Sequence, residues 1–234
     1  MKHQHKHIAA SLLGIVLMVG LTTTATAIQR KRTNDAVRRA NKATSVVKAI
    51  MGAPDSGIPK ELFERAEAIV VCPEVLKAAL GIGGSRGQCV VSRRSSSGWG
   101  TPVYYNTNGG SLGAQIGGEK LDLVMLVMNK EGVNGFLEDK FEMGGEAGVT
   151  AGPIGRSASA STNATLDAGI LSYSRSKGAF IGAAIKGVAI TPDNDLNEAY
   201  YGKKASVLLG EGAVMATPAR LRSFPQTLSR YSKR

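Results

Sequence analysis

The segment Asp122-Leu123-Val124-Met125-Leu126-Val127-Met128 reads DLVMLVM, and the fold turns on how it is taken. In an extended chain successive side chains alternate faces. This run is apolar on both, so as a strand it needs cover on both sides. Ala179-Phe180-Ile181-Gly182-Ala183-Ala184-Ile185 makes the same demand. Working outward, strands are predicted at Ala68–Cys72 (stopped by Pro73), Gln88–Arg93, Thr101–Tyr105, Leu112–Ile116, Leu121–Met128, Ser157–Ala164, Gly169–Tyr173 and Ala179–Ile190. Glycine, proline and asparagine punctuate them at short intervals, the pattern of antiparallel structure. The glycine cluster Gly81–Gly87 fits neither a Walker A loop nor G-x-G-x-x-G, and reads as a turn. Helices are predicted at Thr33–Met51 and Pro59–Ala68, with a single helical turn at Glu131–Leu137. The expected fold class is α+β, mainly antiparallel β. It is one β-rich domain, sandwich- or barrel-like, flanked by short helices at both ends.

Residues 1–27 have the layout of a cleaved export signal. Lys2 and Lys6 precede an apolar run, Ile8–Leu21, which ends before Ala25-Thr26-Ala27. Fourteen apolar residues fall short of the ~20 needed to span a bilayer. Cleavage would leave 207 residues starting at Ile28, a basic lead-in at 28–33, and a net charge falling from +11 to +9. The protein is therefore expected to be exported, periplasmic or secreted, and peripheral on a membrane. All three histidines, His3, His5 and His7, leave with the signal. That excludes Ser-His-Asp and Cys-His catalysis and histidine-ligated metals in the mature chain. Glu142, Glu146 and Asp167 form no paired signature. No enzyme, cofactor or metal is expected. Cys72 and Cys89 are an even pair; a disulfide and two separate buried thiols both remain open.

Two basic elements stand out. In the helix at Thr33–Met51, Val37, Ala40, Thr44, Val47 and Met51 form an apolar stripe, with Arg38, Arg39 and Lys42 away from it. Such a helix either lies on an anionic membrane or packs on the domain with a wet basic side. In SYSRSKG (172–178), Ser172, Ser174 and Ser176 share one face, and Tyr173, Arg175 and Lys177 the other. Guanidinium plus ammonium suits a phosphate, and Arg156 and Lys186 join the patch if their strands are neighbours. The alternatives are a salt bridge from Arg175 to Glu119, Asp122 or Asp167, or an ordinary wet face. Trp99, between two glycines, reads as a core plug.

The ordered phrases VVCPE (70–74), RGQCVVSRR (86–94), SSGWGTP (96–102), GGSLGAQIGGE (109–119), AGPIGR (151–156), SYSRSKG (172–178) and LNEAYYG (196–202) resemble the SYLF-domain family, a lipid- and actin-binding family. The likeness covers residues 34–222 and leaves 223–234 as a basic tail. The resemblance implies lipid binding, helped by a basic helix matching Arg38, Arg39 and Lys42. The expected function is a non-enzymatic module that recognises anionic phospholipid headgroups on a membrane surface. An envelope-assembly protein that binds another protein is the alternative. Nucleic acid is not expected as a partner, nor is actin, because the leader looks bacterial and no SH3 or FYVE domain accompanies the domain.

Overall fold

In a computed structural model of the chain, strands β1 (Ala68–Ser95) and β3 (Val103–Val127) lie antiparallel from the Ala68–Val127 pair to the Val91–Val103 pair. The two-residue β2 (Gly98–Trp99) pairs with the end of β1 and closes the turn between them. The described residues are 29–53, 57–143, 149–155, 169–176, 179–182, 187–213 and 215–232. The expected leader and the strand predicted at Ser157–Ala164 lie outside them.

A straight ribbon of this length would run roughly 75 Å at 3.3 Å per residue. Instead, β1 folds back on itself near residue 81. Cys72 and Cys89 form a disulfide with their Cα atoms 4.0 Å apart. A Cβ on Gly87 would meet Val75 Cγ2 at 2.8 Å, and the Glu67 carbonyl accepts the Arg94 N–H. Each of these pairs is centred on the same point in β1. β3 takes the outside of the bend, which is the longer track. Its register shows this: as β1 advances from Leu80 to Ile82, the partner moves from Ile116 to Leu112. The predicted turn at Gly81–Gly87 and the five separate strands from Ala68 to Met128 are therefore segments of two doubled strands. Pro73 does not stop β1. It falls within the bulge between Cys72 and Val75, where a residue lacking an N–H is tolerated.

The sheet then extends from both halves of β3. On the second half lies β6 (Ile170–Ser176), which carries parallel β5 (Val149–Ala151) and antiparallel β7 (Ala179–Gly182). On the first half lies β8 (Val188–Pro192), itself paired with β4 (Phe141–Met143). The sheet is mostly antiparallel and nearly barrel-shaped. β7 departs from expectation: it is four residues long, and Ile181 is 56% exposed rather than covered on both sides.

Cover for DLVMLVM comes from two different layers. Val124 and Leu126 face a cluster with Ile69, Val71, Tyr104, Leu171 and Tyr173. Helix α1 (residues 29–51) caps that cluster with Ala36, Ala43, Val47 and Ile50, and α2 (Lys60–Arg65) adds Leu62 and Phe63. Leu123, Met125 and Val127 face the disulfide, Tyr105 and Ile190. Helix α3 (Lys130–Gly135) closes this second cluster with Val133, followed by Phe136. α4 (Asn194–Tyr201) and α5 (Ala205–Leu209) add Leu196 to the first cluster and Leu208 and Leu209 to the second. After a 3₁₀ turn at Ala219–Leu221, α6 (Ser223–Tyr231) buries Phe224 and Leu228 completely. The segment expected as a basic tail thus contributes to the core, its apolar residues at i and i+4 sharing one helix face.

Candidate anion-binding face

The described part of the SYSRSKG strip is divided between a buried ring and an ion-paired guanidinium. Alternation along β6 holds, but Tyr173 lies where the sheet is covered by helices and is fully buried. Its hydroxyl has no hydrogen-bond partner among the described residues, and burial pushes its pKa well up. The ring packs against Gly152, where a Cβ would come within 2.1 Å of Cζ. Gly182 in turn leaves no room for a Cβ beside the Gly152 carbonyl. AGPIGR, SYSRSKG and β7 therefore interlock through a ring and two missing side chains. Arg175 stands opposite Asp122 in the β3–β6 register and forms an ion pair with it at 3.5 Å. This is one of the carboxylates anticipated for it. Asp122 also accepts the Glu74 N–H, at 3.0 Å. Lys177, Arg156 and Lys186 lie outside the described residues.

The helix candidates fare differently from one another. The buried stripe of α1 is Ala36, Ala40, Ala43, Val47 and Ile50, turned slightly from the predicted one; Val37 and Met51 are only half-buried. It packs on the sheet, so the apolar side of this helix is spent in the core. Arg39 is only 8% exposed and bridges Asp35 at 2.9 Å and Asp193 at 2.8 Å. Asp193 also caps α4 by accepting the Leu196 N–H. Arg39 is thereby a tie between α1 and α4. Arg38, the preceding residue, is exposed and pairs with Asp35. Lys42 is exposed and pairs with Glu74, and this contact holds the Glu74 carboxyl below its ordinary value. Glu74 sits in the β1 bulge with φ of +51°, a left-handed conformation for VVCPE that few side chains adopt.

What sequence reasoning missed is where the positive charge collects. Helix α1 carries seven basic residues and one acidic residue, and residues 218–234 carry five basic and none acidic. The chain between them, 52–217, has 15 basic and 17 acidic residues. The two basic segments are neighbours. Arg220 Nη2 donates to Asn34 Oδ1 at 3.3 Å, and Ser223 Oγ bonds Asn41 Oδ1 at 3.3 Å. Together they expose Arg30, Lys31, Arg38, Lys42 and Lys48 of α1 with Arg220, Arg222 and Arg230. Charge counts by segment would have found both halves; only the fold sets them side by side. Trp99 is in the core as expected, its N–H donating to Ser232 Oγ at 2.7 Å with the Arg94 guanidinium over its ring. Among the described residues no helix is long and apolar enough to cross a membrane, and no cluster of three metal-ligating side chains occurs.

The chain is similar to known proteins of one family. Residues 108–231 match the Ysc84 family model, described as Las17-binding protein actin regulator. Protein YSC84 of Saccharomyces cerevisiae is 32% identical over 199 residues, covering 82% of this chain and 42% of the yeast protein. LAS seventeen-binding protein 3 from the same species is 31% identical, over 82% of this chain and 43% of its own length. SH3 domain-containing YSC84-like protein 1 of Xenopus laevis is 27% identical over 68% of the chain and 49% of that protein. The chain thus spans about two fifths of the yeast relatives it matches. The family description names binding and regulation, not catalysis. It also overturns the expectation that set actin aside, because that expectation rested on the leader and the absence of a partner domain rather than on the domain itself. With more than half of its length under the family model and all seven phrases in order, the chain belongs to the Ysc84/SYLF family.

Proposed function

We propose that this chain is a non-catalytic docking module whose basic face, formed by α1 and the C-terminal segment, holds it against an anionic phospholipid surface. The observation that carries this reading is the concentration of the basic excess on two touching segments while the rest of the domain is near neutral. Each basic group close to an anionic bilayer contributes ~1 kcal/mol, so eight exposed cations on one face suffice for useful affinity at moderate salt. Because the apolar stripe of α1 is buried, this contact is electrostatic and screened by salt. The Cys72–Cys89 disulfide favours an oxidising compartment, in keeping with residues 1–27 acting as an export leader.

The test is co-sedimentation with vesicles of phosphatidylcholine alone and with added phosphatidic acid. Binding should require the anionic lipid, weaken with salt, and fall at least tenfold when Arg38, Lys48 and Arg220 are all changed to Glu. Equal pelleting with neutral vesicles would refute it. A second reading comes from the family description: the same face docks on a protein of the actin machinery. Pelleting with actin filaments without lipid, abolished by the same three changes, would favour that reading.

A further inference from the structure

A cleft of about 410 Å³ opens where the end of β1 meets the start of α3 and the loop after α5. That lies within the ~300–1,000 Å³ of small-molecule sites. None of its lining residues belongs to α1 or to residues 218–231, so it is separate from the basic face. Part of the wall is apolar: Leu208 and Leu209 of α5, with the half-buried Met215 beyond them. The charged lining is Arg93, Arg94 and Lys130 against Glu67 and Glu211, three cations to two carboxylates and so one positive charge in excess. Arg93 is fixed by donating to the Leu209 carbonyl at 2.6 Å, at the C-terminal end of α5. Across the exposed side, Lys130 at the start of α3 pairs with Glu211 at 3.0 Å. Glu211 stands on a loop between Gly210 and Gly212, the latter with φ of +72°. The hydrogen bond and charge of Lys130, and then the charge of Arg93, hold its carboxyl below the ordinary value. Two cations thus converge on one carboxylate at the cleft, and an ion pair this exposed is weak.

We propose that this cleft binds an organic carboxylate with a short apolar body, and that Glu211 holds the anion position until such a ligand takes it. The ligand's carboxylate replaces that of Glu211 at Lys130 and Arg93, and its body lies on Leu208, Leu209 and Met215. The choice of a carboxylate comes from the chain itself, which already seats one there. A single negative charge also matches the one-charge excess, and Glu67 in the wall disfavours a second. The two glycines beside Glu211 let the loop swing its side chain out to water without strain. Two sources supply this chemistry, a small free acid and the C-terminus of a peptide. The site is independent of the phospholipid reading, because it shares no residue with the basic face.

The experiment titrates the full chain with hexanoate, its neutral analogue hexanamide, hexyl phosphate and N-acetyl-leucyl-leucine. Saturation-transfer NMR reads contact directly. Trp99, the one tryptophan of the chain, reads it by fluorescence, since the Arg94 guanidinium that lines the cleft lies 4.2 Å from the centre of its ring. Hexanoate or the dipeptide should saturate with a Kd on the order of 1 mM, and the tighter of the two identifies the source. Hexanamide should bind about tenfold more weakly than hexanoate. Lys130→Met should weaken the carboxylate about threefold, and Glu211→Gln, which removes the internal competitor, should tighten it by about the same factor. Because both groups are exposed, neither change should move the thermal midpoint by more than about 2 °C. Equal binding of hexanamide would overturn the anion position. Unchanged affinity in Glu211→Gln would overturn the role given to Glu211. Hexyl phosphate binding far tighter than either carboxylate would reassign the ligand class and refute the proposal. If no probe saturates with the parent or with Glu211→Gln, the cleft is not a ligand site.

Discussion

Arg38 and Arg39 are adjacent in sequence and opposite in role, and replacing each with alanine separates them. Arg39 is 8% exposed and holds two carboxylates, Asp35 and Asp193, at 2.9 and 2.8 Å. Removing it leaves the largely buried Asp193 without its guanidinium partner, while Asp35 keeps Arg38. Breaking a buried pair from one side costs ~3–5 kcal/mol. Asp193 keeps its bond to the Leu196 N–H, so the lower end of that range, about 3 kcal/mol, is expected. In a domain of this size each kcal/mol lowers the midpoint by ~2–4 °C, so Arg39→Ala should melt about 6–12 °C below the parent. Arg38, exposed and paired only with Asp35, should cost under ~1 kcal/mol on the same change. Thermal unfolding by circular dichroism and urea titration supply the two readouts, with vesicle co-sedimentation alongside. An Arg39→Ala protein that melts within about 2 °C of the parent yet loses lipid binding would refute the assignment. It would make Arg39 a ligand contact and not a tie between α1 and α4.

Three further outcomes are expected. Tyr173→Phe should leave the midpoint unchanged or raise it, because the hydroxyl it deletes is buried without a partner among the described residues; a fall of several degrees, or lost lipid binding, would restore Tyr173 as a working group. Asn197, fully buried, donates to the Tyr104 carbonyl and accepts its N–H, both at 2.9 Å. Asn197→Ala strands the Tyr104 N–H, while the carbonyl keeps the Asp193 N–H at 3.0 Å, and should cost ~1–3 kcal/mol by urea titration; a loss under ~1 kcal/mol would show that water replaces the amide. The Lys42–Glu74 pair predicts a small acid dependence. The Glu74 carboxyl is held below its ordinary value of 4.5, mainly by its hydrogen bond from Lys42 and then by that charge. A depressed carboxyl contributes stability above its unfolded value and loses it as pH falls through the lowered folded one. Since both groups are exposed, the stability gap between parent and Lys42→Met should be a fraction of a kcal/mol at neutral pH and vanish on acidification past 4.5. A gap that persists in acid would refute the pairing.

Much of this fold was legible in the chain. The two-faced apolar run at 122–128 demanded a covered strand, and the structure covers it with two layers. Short-range pattern sufficed there, because alternation and helical spacing are properties of neighbouring residues. The ordered phrases pointed to the family, and two of them meet in the fold, where Gly152 leaves room for the Tyr173 ring. Charge sign and amount could likewise be counted from composition. Three things were not local. The doubling of β1 joins residues 17 apart, so the stretch looked like several strands and a turn instead of one bent ribbon. Which arginine is wet and which is buried depends on a carboxylate 154 residues away, and Arg38 and Arg39 are indistinguishable without it. The basic face exists only because the C-terminal segment packs beside α1, 186 residues earlier. Sequence alone thus determined which elements form, how much charge they carry and which faces must be covered, since those follow from residue type and period. Tertiary structure alone decided which charges are neutralised and which are left to meet a partner, because that depends on distances set by the closing of long loops.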